Sequence, residues 1–278
     1  MNLEELETYH MNFHQSFSPE LEYLSRIVNL ADSNEGPLTK EEISERTMIP
    51  TGKVSGKVEP HIYYAAAMKL ITFEKLDKRF ICKLTPLGKK IALEDPYLVE
   101  SISKLILHSF LADKHSTAIM WSYIFNELIP KVKRSFSNEL IQSAVERHFS
   151  MNVNLTPFRT CYSSDLSFGD LGLIRLEDKD YYLDAHRVAS ENVYAYGYIL
   201  LEKWSKQLKG RSEITFDEIT DVLYFGRVFL WGERQIRDAL DLMQEVGLIS
   251  VNAQLSPITI IKNQNSSYCL DKMYSLLI

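Results

Sequence analysis

Basic side chains are concentrated in one stretch of the chain, residues 50–90. This stretch holds nine lysine and arginine residues and three acidic residues, a net charge of +6, whereas the whole chain of 278 residues has a net charge of -6. A local excess of positive charge in an acidic protein favours a nucleic-acid contact confined to one region, because phosphate oxygens attract ammonium and guanidinium groups. We therefore expect a polyanion to bind at this stretch and not along the whole surface.

A second group of residues offers metal chemistry. Asp165, Asp170 and Glu177, followed by Lys179, loosely resemble the carboxylate and lysine pattern of metal-dependent nucleases, in which acidic groups hold Mg2+ or Mn2+ and the ion activates water. The simpler interpretation, which we favour, is that residues 177–180 form the exposed turn of a hairpin. The chain has no phosphate-binding loop, serine-hydrolase elbow or zinc-protease motif. Whether the protein is an enzyme stays open, and if it cleaves DNA we expect a metal-dependent mechanism.

The elements that would position the basic stretch have the order of a winged helix-turn-helix. Apolar spacing and turn signals predict, in chain order, a helix at 18–31, a helix that begins at the capping box of Thr39 and Glu42, a helix at 55–68, and hairpin strands at 72–75 and 80–84. Five elements of suitable length between residues 18 and 84 make this pattern fairly specific.

In a winged helix the third helix enters the major groove, and the hairpin, or wing, touches neighbouring phosphates. The predicted DNA contacts are therefore Lys53, Ser55 and Lys57 at the start of the third helix, His61 and Tyr64 further along it, and Lys78 and Arg79 at the tip of the wing. The alternative is a winged helix that serves as a protein-protein platform with a solvated lysine face.

The C-terminal region repeats this pattern. Thr215 and Glu218 correspond to Thr39 and Glu42, and strand 250–252 is predicted to pair with 268–270. Its last helix balances basic with acidic residues, which favours an assembly role. A weaker third copy ends in a hairpin. We expect a mainly α protein with small β-hairpin wings, divided into an N-terminal winged helix-turn-helix (1–95), a helical middle region with a hairpin near 173–184 (96–209), and a C-terminal winged-helix-like module (210–278).

Composition indicates an ordinary cytoplasmic protein. The three cysteines are far apart, outside any CxxC motif, and are predicted to be reduced core residues. The N-terminus has no basic region followed by an apolar run, and no apolar stretch reaches the roughly 20 residues that cross a bilayer. Apolar spacing around Trp121 and Phe125 predicts a core helix.

Several segments resemble a bacterial family encoded beside DNA phosphorothioation and related defence genes. They are FHQSF at 13–17, GK at 52–53, AMKLI at 67–71, LTPLG at 84–88, DPYL at 95–98, WSYIFNE at 121–127 and LGLI at 171–174. The resemblance covers most of the chain, and its motifs are structural, not catalytic. One branch of this family, the SspB-type subunit, is regarded as a DNA nickase.

The resemblance implies a DNA-binding subunit of a phosphorothioation or related defence system, with nicking as a further activity. The partners it implies are double-stranded DNA and a cysteine desulfurase, an ATPase and a sulfur transferase. If the chain nicks DNA, Mg2+ or Mn2+ is the expected cofactor; a homo-oligomer stays open, and no membrane is expected. The alternative is a winged-helix transcriptional regulator without enzymatic activity.

Overall fold

The computed structural model describes residues 11–132, 134–254 and 256–277. Helices predominate in this part of the chain, and its strands are two to six residues long. The structure therefore confirms the predicted mainly α class with small β elements. None of the described helices is long and apolar enough to cross a bilayer.

Three helices begin directly after a short strand, and the last side chain of that strand caps each helix. Thr39 accepts a hydrogen bond from the Glu42 N–H, and the Glu42 carboxylate accepts one in return from the Thr39 N–H (2.7 Å). Thr215 and Glu218 form the same capping box, with the returning bond at 2.8 Å. Ser137 caps the remaining helix by accepting from the backbone three residues later. Because each cap satisfies an otherwise unpaired N–H group, it fixes the residue at which strand becomes helix.

Module 1, residues 38–84, is a strand, two helices and a hairpin. Its elements are β1 (Leu38–Thr39), α2 (Lys40–Thr47), α3 (Val58–Ala67), β2 (Ile71–Leu76) and β3 (Arg79–Leu84). The strands form an antiparallel sheet in the order β1, β3, β2. Helix α1 (Leu21–Asp32) precedes the module and packs against α3 and β3.

Module 2, residues 135–183, repeats this order. Its elements are β4 (Ser135–Ser137), α7 (Asn138–Phe149), α8 (Thr156–Ser163), a 3-10 turn (Gly169–Leu171), β5 (Ile174–Glu177) and β6 (Asp180–Leu183). The sheet order is β4, β6, β5. The helices that connect it to module 1 are α4 (Pro86–Glu94), α5 (Ser101–Leu111) and α6 (Ile119–Tyr123), the last continued by a π-helical turn (Ile124–Leu128) and a 3-10 turn (Ile129–Lys131).

Module 3, residues 213–262, has the same strand order, β7, β9, β8. Its elements are β7 (Glu213–Thr215), α10 (Phe216–Asp221), a 3-10 turn (Arg227–Phe229), α11 (Glu233–Glu245), β8 (Ile249–Asn252) and β9 (Thr259–Lys262). A 3-10 turn (Ser190–Asn192) and α9 (Val193–Gln207) precede it, and α12 (Ser266–Lys272) follows.

The predicted partner strand of module 3 was wrong. β8 pairs with β9 and not with 268–270, which lies in α12. The physical reason is local: the Asn265 side chain accepts a hydrogen bond from the Tyr268 N–H (2.9 Å) and so begins a helix there.

The chain divides into two compact units between Asp184 and Ala185. Modules 1 and 2 belong to the first unit and module 3 to the second. The expected boundaries at 95 and 209 stay a prediction. In the first unit Trp121 and Phe125 are fully buried, with ring centroids 6.1 and 6.3 Å from that of Phe158. These contacts join α6 and its continuation to α8 in one aromatic core. The three cysteines are free and buried.

Candidate nucleic-acid interface

The turn between α2 and α3 presents two of the predicted contact residues to solvent. A hydrogen bond from the Lys57 N–H to the Pro50 carbonyl (2.8 Å) closes the turn. Lys53 and Ser55 are exposed at its tip, and Val54 between them is 96% exposed. Among the described residues the ammonium group of Lys53 has no ion-pair partner, so it is free to meet a phosphate.

The ammonium group of Lys57 makes its contacts within the protein. Its ammonium group forms an ion pair with Glu20 (2.6 Å) and lies 4.9 Å from the ring centroid of Tyr23. The carboxylate and the aromatic face both stabilise the positive charge. Lys57 therefore fastens the start of α3 to the residues around the start of α1, and its charge is already compensated.

His61 and Tyr64 are buried, which removes them from the predicted interface. His61 donates through Nδ1 to the Lys57 carbonyl (2.6 Å) and accepts at Nε2 from the Glu20 N–H (3.0 Å). Burial lowers the pKa of His61 to about 4, so the ring is neutral near pH 7. The Tyr64 hydroxyl donates to the Phe17 carbonyl (2.9 Å), and burial raises its pKa. Neither side chain reaches a ligand outside the protein.

The side chains of α3 as a whole are buried or only partly accessible to solvent. No side chain of α3 is exposed, and only Glu59, Tyr63 and Ala66 are partly accessible. Glu59 forms an ion pair with Lys75 of β2 and accepts a hydrogen bond from the Tyr63 hydroxyl (3.0 Å). The accessible face of α3 is therefore narrow and carries an acidic residue, which disfavours the expected entry of this helix into a major groove. Aromatic rings cover it from a second side, with the Trp121 centroid 5.6 Å from that of Tyr64.

Two DNA contacts were predicted at the hairpin tip of module 1, and of these Lys78 is accessible whereas Arg79 is paired within the protein. Asp77 and Lys78 form a two-residue turn in which both φ angles are positive, 46° and 64°, the geometry that matches the twist of a hairpin. Lys78 is exposed and has no ion-pair partner among the described residues. Arg79 instead pairs with Glu42 (3.0 Å) and donates to the Pro37 carbonyl (3.0 Å), which ties the hairpin to the capping box of α2.

The structure does not bring the three carboxylates that were predicted to bind a metal ion together at one site. Asp170 forms an ion pair with Lys104, Glu177 forms one with Arg175, and Asp165 is exposed. Among the described residues no group of three or more histidine, cysteine, aspartate or glutamate side chains has an arrangement that could hold a metal ion. These donors do not fit the expected Mg2+ or Mn2+ site, because two of them already neutralise neighbouring cations.

A polar face on α8 was missed from the sequence. Thr156, Arg159 and Ser163 are exposed and Thr160 is half-buried, and these positions share one side of the helix since they recur at intervals of three and four residues. The signal was present: Pro157 occupies the first turn of α8, a position that proline favours at the start of a helix.

Comparison with known proteins identifies the family and the fold. Residues 12–168, more than half of the chain, match a family described as a protein of unknown function, DUF4007. No curated protein matches the chain.

Two solved structures are similar to this chain. One, described as "SspB crystal structure", has a TM-score of 0.79 and 17% sequence identity, and the alignment covers 98% of this chain and 90% of that chain. The other, described as "Magnesium ion-bound SspB crystal structure", has a TM-score of 0.75 and 16% identity, covering 95% of this chain and 88% of that chain. At this identity the likeness concerns the fold. The protein thus shares its fold with SspB, and by the match over residues 12–168 it belongs to the DUF4007 family.

Proposed function

We propose that this protein binds duplex DNA as a subunit of a bacterial DNA phosphorothioation or related defence system, and that its modules are winged helix-turn-helix units. The fold shared with SspB over 98% of the chain supports the first part, together with the sequence resemblance to proteins encoded beside phosphorothioation genes. The common order of strand, helix, helix and hairpin supports the second.

The observation that carries the DNA-binding proposal is a set of lysines in and beside module 1 that serve no internal pairing. Lys53, Lys78, Lys83 and Lys89 are exposed, and among the described residues none of them has a carboxylate partner. Neighbouring cations such as Lys57 and Arg79 are paired within the fold. Exposed ammonium groups without partners cost little to bring to a phosphate backbone, because no ion pair must first be broken.

The proposed partners beyond DNA are the cysteine desulfurase, ATPase and sulfur transferase of such a system. Nicking by this chain is left out of the proposal, because two of the three carboxylates predicted to support it are engaged in separate ion pairs. The proposal is therefore that the chain contributes the DNA contact.

The test is the salt dependence of DNA binding by the full chain and by a Lys53→Ala, Lys78→Ala double variant. Removal of one lysine–phosphate contact should reduce the slope of log affinity against log salt by about 0.9. The control is a Lys209→Ala, Lys272→Ala double variant, which removes the same charge at exposed positions of the other unit. Fluorescence anisotropy with a labelled random-sequence duplex measures both. An unchanged slope in the Lys53, Lys78 variant contradicts the assignment.

A further inference from the structure

The three modules each contain one helix that leads into the hairpin, and their accessible faces differ. α3 has no exposed side chain. α11 exposes four acidic side chains, Glu233, Asp238, Asp241 and Glu245, with Arg234 and Gln244. α8 exposes hydroxyl groups and an arginine and no acidic side chain. Of these three helices, α8 has the charge that complements a polyanion.

We infer that α8 is the helix that enters the major groove of duplex DNA, an inference that rests on the DNA-binding function proposed above. Arg159 lies in the middle of the polar face, flanked along the helix by Thr156 and Ser163. A guanidinium group donates two parallel hydrogen bonds to guanine or to a phosphate, and threonine and serine hydroxyls both donate and accept at base edges. An α-helix with its side chains is about 10–12 Å in diameter, and the major groove of B-DNA, about 12 Å wide, admits it.

The inner face of α8 is fixed in the core, so the polar face has a defined direction. Phe158, Cys161 and Tyr162 are buried. The Tyr162 hydroxyl forms a hydrogen bond with Nδ1 of His108 (3.1 Å) on α5. A reading helix held in this way loses little conformational entropy when it binds.

Side-chain hydrogen bonds also fix the conformation of the turn between α7 and α8. The Gln142 side chain donates to the Val153 carbonyl (2.7 Å) and to the Glu146 carboxylate (2.5 Å). The Asn154 side chain accepts from the Thr156 N–H (3.0 Å) and orders the entry into α8. These bonds make α7, the turn and α8 one rigid helix-turn-helix.

Two arginines without ion-pair partners among the described residues, Arg147 and Arg159, belong to this helix-turn-helix. Arg147 and His148 are exposed at the end of α7, and His148 stacks on Tyr123 with ring centroids 3.9 Å apart. The hairpin of module 2 has a mainly acidic tip, since residues 177–180 hold three carboxylates and one lysine. Within module 2 the phosphate contacts therefore come from the helical side and not from this hairpin.

The test compares Arg159→Ala with Arg234→Ala in the full chain. Both remove one exposed arginine from corresponding helices. Duplexes selected from a random pool by the wild-type protein serve as probes, and binding is measured at several salt concentrations. We expect Arg159→Ala to weaken binding to the selected duplex by about 10- to 100-fold and to flatten base preference, while Arg234→Ala binds as the wild type does.

A second variant, Ser163→Glu, adds a negative charge to the same face and should weaken binding to every duplex, selected or not. Thermal melting followed by circular dichroism checks that each variant is folded. Wild-type affinity in both Arg159→Ala and Ser163→Glu overturns the inference and favours a protein partner for this face. If the wild type itself binds no duplex at low salt, the proposed function fails, and the two results are distinguishable.

Discussion

At the scale of a single residue, Asp170 stabilises the fold through an ion pair. It pairs with the ammonium group of Lys104, whose side chain is only 11% exposed. Asp170→Ala leaves that ammonium group mostly buried without its carboxylate. We expect the free energy of unfolding to fall by about 1 to 3 kcal/mol, less than for a fully buried pair because Asp170 is itself 42% exposed. Urea unfolding measures the change.

Asp165→Ala is the matched control, because Asp165 is exposed and its replacement should change stability by less than about 0.5 kcal/mol. A metal-ligand role makes the opposite prediction for Asp170. Removing one carboxylate from a metal-binding cluster relieves repulsion in the metal-free protein, so Asp170→Ala would then be as stable as the wild type or more stable.

The burial of His61 shows which features of the candidate site could be predicted from the sequence. Apolar spacing at Val58, Ile62, Ala65 and Ala66 predicts one inward face of α3, and the structure buries the first three while Ala66 is partly accessible. The spacing gave no information about the second side, which Glu20, the residue before α1, covers with its backbone N–H. That cover comes from residues 41 positions away in the chain, and helical periodicity reports only local spacing.

At the scale of a secondary-structure element, Gly88 allows α4 to pack closely against the backbone of module 1. A Cβ at this position would lie 1.9 Å from the Leu70 carbonyl oxygen, and the Thr85 N–H donates to the same oxygen (3.0 Å). Helix propensity alone predicts that Gly88→Ala stabilises the helix by about 1 kcal/mol. The contact with backbone cannot relax by a side-chain rotation, so we expect a net loss of at least about 2 kcal/mol, measured by urea unfolding.

Gly36→Ala is the control for Gly88, since a Cβ at Gly36 meets no atom within 4 Å. It should leave the free energy of unfolding within about 0.5 kcal/mol of the wild type. If Gly88→Ala raised the stability, propensity would outweigh the contact and the close approach of α4 to Leu70 would be wrong.

Elements were predictable where a cap or a turn fixed them locally. The capping box of Thr39 was found from two residues, and it is present in the structure. Residues 268–270 were misassigned because a short continuous apolar run is compatible with a strand and with one turn of a helix. The cap at Asn265 decided between them, and asparagine is common in turns as well as at helix starts, so it was not a decisive signal.

At the scale of the whole molecule, buried histidines make stability depend on pH. Burial lowers the pKa values of His14 and His61 from 6.5 to about 4. The unfolded chain therefore binds more protons than the folded chain between pH 6.5 and 4, and stability is lost as the pH falls through this window. For His61 alone we expect a loss of about 2 kcal/mol between pH 7 and pH 5.

Urea unfolding at both pH values tests this expectation, at low protein concentration because the isoelectric point of about 5.7 lies within the window. His61→Gln keeps one donor and one acceptor but cannot be protonated, so it should flatten the pH dependence by that amount. His115→Gln, at an exposed position, should not change it. Equal slopes for all three proteins would contradict the assignment.

The three modules share a strand order but present different outer faces, and this difference has a consequence for the symmetry of the DNA complex proposed above. A regulator with two identical reading helices treats both strands alike, because a two-fold axis relates them. A single copy of this chain bound through one reading helix, as inferred for α8, has no such axis. The bound protein would then point in one direction along the duplex, at a non-palindromic site. It would distinguish one strand from the other before any chemistry on the backbone begins.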